Sequence, residues 1–122
     1  MTPHEVNRKL AEWAGWTVIA YSPDWHLLTN VNGNVFYGAV SAEECWQSQY
    51  IPDYFHSLDA THALAEAKGM FLETFWIELE GVWCCKVCHR KFPDDAILAE
   101  RHAQLPAACA LALLAAMERS TP

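Results

Sequence analysis

The spacing of apolar residues divides the chain into helical and extended stretches. Val6, Leu10, Trp13 and Ala14 recur at helical intervals and predict a first helix with one apolar face. Thr2 and Glu5 form a capping box at its start, Pro3 suits the first helical position, and Gly15 ends it. Trp16 to Tyr21 is rich in β-branched and aromatic residues and reads as a strand. Ser22-Pro23-Asp24 is turn chemistry, Trp25 to Thr29 a second strand, Asn32-Gly33 a second turn, and Val35 to Tyr37 a third strand. These pieces predict an antiparallel meander.

Beyond it, Ser41 and Glu44 suit the cap of a short helical piece. Ser57 or Asp59 caps a longer helix reaching about Lys68. Gly69 interrupts the pattern. Phe71, Phe75 and Leu79, at i, i+4 and i+8, predict that helix resumes from Met70 to Glu80. Val82 to Val87 reads as a strand. Phe92-Pro93-Asp94-Asp95 reads as a loop, followed by a short helix through Arg101. The last helix, from about Pro106 to Glu118, carries a stripe of Ala107, Ala110, Leu111, Leu114 and Ala115, whose small side chains permit close packing. Helix, meander, helices, strand and helix make an α+β pattern.

Composition narrows the class. The chain has 122 residues, 52% of them hydrophobic, enough for one packed domain over 1–122 and too apolar for disorder. Eight basic against fifteen acidic residues give a net charge of −7, which argues against non-specific coating of nucleic acid. The N-terminus carries no apolar signal region. The most apolar run, Leu105 to Met117, is shorter than the roughly 20 residues of a membrane span, so no membrane partner is expected. Five cysteines, three of them crowded at Cys84, Cys85 and Cys88, suit a reducing cytoplasm better than a disulfide framework.

Three blocks resemble a known family. The opening MTPHEVNRKLAEWAGW, the block IPDYFHSLDATHALAEA over 51–67, and more faintly HAQLPAACALALLAAM over 102–117 are similar to phage proteins carrying the phage ABA sandwich domain. The resemblance implies a three-layer α-β-α sandwich, a small antiparallel sheet with helices on both faces. It also implies a phage or prophage origin, hence the cytoplasm of an infected or lysogenic bacterium. It implies no reaction, and it does not extend to the cysteine-rich insert at about 82–102.

That insert reads Cys85-x2-Cys88-x3-Phe92-x5-Leu98, the opening of a Cys2His2 zinc finger, in which a tight knuckle turns two thiolates toward one tetrahedral ion. His102 follows Leu98 after three residues rather than two, and Cys109 is the next ligand type downstream. Cys85, Cys88, His102 and Cys109 are therefore the candidate zinc ligands, with Cys84, His89, His62 or a water as other sources of the fourth. The competing reading is a short apolar strand with free thiols in the core. A zinc held by thiolates would be structural. Asp94 and Asp95, at the positions where a finger reads bases, argue against DNA reading, although Lys86, Arg90 and Lys91 form a small basic patch.

Asp53, Tyr54 and His56 stand at a loop-to-helix junction, where binding residues collect. Asp59 and His62 share one helical face, with His62 expected on the apolar side and Asp59 expected as the cap. Most of the six tryptophans are expected in the core, some as interface anchors. No phosphate loop, dinucleotide fingerprint or Ser–His–Asp order occurs. The expectation is a small acidic phage or prophage accessory protein, a non-enzymatic binder of a host protein or small molecule, with counter-defence as one role for it. The alternatives are a zinc-dependent hydrolase or nuclease and a zinc-finger nucleic-acid-binding regulator.

Overall fold

A computed structural model of the chain describes residues 1–89 and 96–120. The mixed α+β architecture expected from the sequence is the one adopted, its strands shared between two antiparallel three-stranded sheets.

Helix α1 (Pro3–Ala14) starts at Thr2, whose side chain accepts from the Glu5 N–H, and ends at Gly15. The first sheet is the predicted meander of β1 (Thr17–Ser22), β2 (Trp25–Thr29) and β3 (Val35–Ala39), in that order. Short helix α2 (Ala42–Trp46), capped by Ser41, packs against it. Gly38 is required here, because a Cβ at this position would meet the Trp25 indole at 2.8 Å. The ring therefore lies over bare backbone and stays 42% exposed. The expectation of a mostly buried tryptophan set fails at Trp25 and at Trp76, which is 48% exposed, whereas Trp46 is in the core.

Helix α3 (Leu58–Ala67) leads into the second sheet, formed by β4 (Met70–Ile77), β5 (Val82–His89) and β6 (Ala96–His102). Two predicted helices are strands instead. Met70–Ile77 pairs with β5 along its whole length, from Met70 opposite His89 to Ile77 opposite Val82. Phe71 and Phe75, four residues apart, share a face in either geometry, so the period did not discriminate. The aromatic and β-branched run Thr74-Phe75-Trp76-Ile77 favours the pleated surface. The predicted helix before Arg101 is likewise extended and pairs with β5 from Trp83–His102 to Cys88–Ala96.

Helix α4 (Leu105–Ser120) is the centre of the molecule. It packs on β5 and β6 and also on α1 and α3. Ala107, Ala108, Cys109, Ala110, Ala112, Leu113 and Ala116 are all fully buried. A helix apolar all round belongs inside a protein, and alanines let neighbours approach on several sides. One hydrophobic cluster runs from Val6 and Leu10 of α1 through Leu28 and Val87 to Ala116.

Candidate functional site

The end of α1, the loop after β2, the segment 51–56 and α3 line an open cavity of about 440 Å³. Each wall has a local cause. Gly15 caps α1 with φ 107°, in the left-handed region that disfavours a side chain, and a Cβ there would sit 2.8 Å from the Val31 Cβ. Glycine thus lets Val31 close directly on the helix end.

The segment 53–56 is fastened by Asn7 of α1. Its Nδ2 donates to Asp53 Oδ1 at 2.8 Å, and its Oδ1 accepts from the Phe55 N–H at 2.9 Å. Asp53 also holds His56 Nδ1 at 3.0 Å and, through its carbonyl, the Ser57 N–H at 2.8 Å. Ser57 then caps α3 by accepting from the Ala60 N–H at 3.2 Å. From this start Ala60, Ala63, Leu64 and Ala67 recur at i, i+3, i+4 and i+7 and form the cavity's third wall.

Two polar side chains line this apolar hollow, Tyr54 and Lys68. Tyr54 is only 4% exposed. Burial alone pushes its phenol up to about 12, and no group among the described residues hydrogen-bonds it. The Lys68 ammonium lies 5.0 Å from the centre of the Trp13 ring, a cation–π contact. Among the described residues no carboxylate pairs with it.

Around Asp53, burial acts to raise the acid's pKa. The hydrogen bonds from Asn7 and His56 outweigh it and leave the carboxyl below its usual value. His56 is exposed, and among the described residues it hydrogen-bonds Asp53 alone. The Phe55 ring meets His56 and His102 edge-on at 5.3 and 5.6 Å. This network fixes backbone and ring positions, and among the described residues no nucleophile hydrogen-bonds the imidazole.

The residues singled out in the sequence therefore separate. Asp53, Tyr54 and His56 do come together, but only Tyr54 faces the cavity. Asp59 lies exposed in the first turn of α3, and the cap is Ser57. His62 is exposed, because the buried face of α3 runs through Thr61, Leu64 and Ala65 on either side of it.

The zinc knuckle does not form. Cys85 and Cys88 lie inside strand β5, three positions apart, and an odd separation puts two side chains on opposite faces of a sheet. Cys85 and Val87 enter the core cluster, whereas Cys84 and Cys88 stand opposite Phe75 and Phe71 on the other face. Cys109 of α4 meets Cys85 by a thiol hydrogen bond. That bond, with burial, holds the Cys85 thiol above its ordinary range. His102 pairs across the ladder with Trp83, and its Nδ1 accepts from the Gln104 N–H at 2.9 Å. Among the described residues no three His, Cys, Asp or Glu side chains gather to hold a metal ion. Arg90, Lys91, Phe92, Asp94 and Asp95 lie outside the described residues.

A second hollow of about 500 Å³ lies on the other side of α1, between Trp16, Trp46 and His26. Arg8 lies over the Trp46 ring at 5.1 Å and is paired with Glu12 at 2.9 Å and Glu43 at 3.5 Å. Comparison with known proteins finds no matching family model, no similar curated protein and no similar solved structure.

Proposed function

We propose that this protein is a non-enzymatic binder of a small apolar molecule, held in the cavity between α1 and α3. The observation that carries the reading is the cavity itself. Its volume falls in the usual range for ligand sites, roughly 300–1,000 Å³. Its walls are aliphatic, and its two polar groups, Tyr54 and Lys68, are the kind that orient a ligand in such a hollow. In the phage setting implied by the family resemblance, such a protein would act by sequestering a host metabolite or signal.

Calorimetric titration with a medium-chain aliphatic compound tests this. Wild-type protein binds, and Ala63→Trp, which fills the hollow from its α3 wall, does not. Equal binding by both proteins would overturn the reading.

A second reading, docking on a partner protein, is favoured by the first sheet. Ile19, Tyr21, Trp25 and Phe36 remain exposed there, and aromatic residues on open surface are enriched at protein interfaces.

A further inference from the structure

The charge around the cavity narrows the ligand class. Among the described residues lining it, Lys68 alone carries a charge, and no acid lines the hollow. This chain has almost twice as many acids as bases. Yet the Lys68 ammonium is set over the Trp13 ring, at the end of an aliphatic wall, with no carboxylate among the described residues to balance it.

Two helix ends beside the hollow supply an opposing field. Ala14 ends α1 and Lys68 caps α3, and helix C-termini carry partial negative charge. Both ends are tied. The Gly15 N–H bonds Ala11 and Glu12, and the Lys68 N–H bonds Leu64, Ala65 and Glu66. Each end amounts to about half a charge that fades within a turn, against a full charge on a side chain free to meet a ligand.

Resting on the binding reading above, we infer that the cavity takes an aliphatic monocarboxylate, its anionic head against Lys68 and its chain along Ala60, Ala63 and Ala67. Tyr54 suits the same ligand. Burial pushes its phenol up to about 12, so at neutral pH, where a carboxylic acid is ionised, it is a hydrogen-bond donor. An aliphatic chain matches walls of alanine, valine and leucine, which offer no stacking platform apart from the Tyr54 ring.

The test uses three probes of one chain length, octanoate, 1-octanol and octylammonium, titrated by calorimetry at low and high salt. Octanoate binds about tenfold more tightly than 1-octanol at low salt, and octylammonium binds most weakly. High salt erodes the octanoate advantage and leaves 1-octanol unchanged. Lys68→Met removes the advantage without weakening 1-octanol, and Lys68→Arg restores it. Melting curves confirm that both variants fold. Equal affinities for octanoate and 1-octanol in the wild type, or an advantage that survives Lys68→Met, overturns the carboxylate inference and leaves the cavity reading standing. Failure of all three probes overturns both.

Discussion

The two hollows beside α1 are nearly equal in size and opposite in character. The larger, about 500 Å³, is walled by tryptophans and holds Arg8, but Glu12 and Glu43 already neutralise that charge. The smaller, about 440 Å³, is walled by alanine, valine and leucine and holds a lysine with no carboxylate partner among the described residues. Volume does not distinguish a site from a crevice. A full charge left without a counter-charge among the described residues does, because a ligand of opposite charge completes it, whereas the second hollow offers at most the unpartnered ring nitrogen of His26.

The largest effect is expected from filling one hollow and disarming the other. Ala63→Trp lowers octanoate affinity at least a hundredfold, which corresponds to about 2.7 kcal/mol. Arg8→Met, in the second cleft, leaves that affinity within twofold of wild type. Calorimetry on both variants decides whether the two hollows differ in function or only in appearance.

The next effect concerns the wall the smaller hollow shares with α1. Gly15→Ala forces a side chain into the left-handed region and against Val31, and it costs about 2–3 kcal/mol in urea denaturation. Gly33→Ala has the same backbone penalty at φ 79° with nothing within 4 Å, and it costs about 1–2 kcal/mol. Only the Gly15 change also weakens octanoate, since it displaces Val31.

Much of the scaffold around these hollows is legible in the sequence, because it is set by local chemistry. Thr2, Ser41 and Ser57 cap the helices that follow them, and Gly15 ends α1, each through atoms a few residues apart. Strands β1 to β3 follow from their turns. Met70–Ile77 was not legible, since a four-residue spacing fits strand and helix alike. The Cys-x2-Cys spacing failed for the same reason. It forms a knuckle only at a turn, and here it lies along β5, whose pairing with β4 and β6 is non-local. The cavity draws on four separated segments, and Tyr54 was the one lining residue marked in advance. The spacing of Ala60, Ala63 and Ala67 was the signal that could have added α3.

An effect confined to alkaline pH separates the buried phenol from the surface network beside it. The folded Tyr54 pKa lies above its unfolded value of about 10, so its contribution is complete below that pH and is lost as pH rises toward about 12. The loss is about 3 kcal/mol, and Tyr54→Phe removes this slope from the alkaline limb of the stability curve.

The smallest belongs to Asp53, whose folded pKa is lowered. Its contribution is present above the ordinary carboxylate value and is lost as pH falls through the folded one. Asp53 and His56 are both about half exposed, so solvent screening keeps the loss under about 1 kcal/mol. Asp53→Asn flattens the acid limb by that amount without altering ligand affinity at neutral pH.

The central claim is tested most directly by methyl NMR of alanine-labelled protein titrated with octanoate. The account predicts that the methyls of Ala14, Ala60, Ala63 and Ala67 shift together along one saturable curve, while Ala20 and Ala42 of the second hollow stay still. Shifts confined to Ala20 and Ala42, or none at any of these six methyls at saturating octanoate, would contradict it.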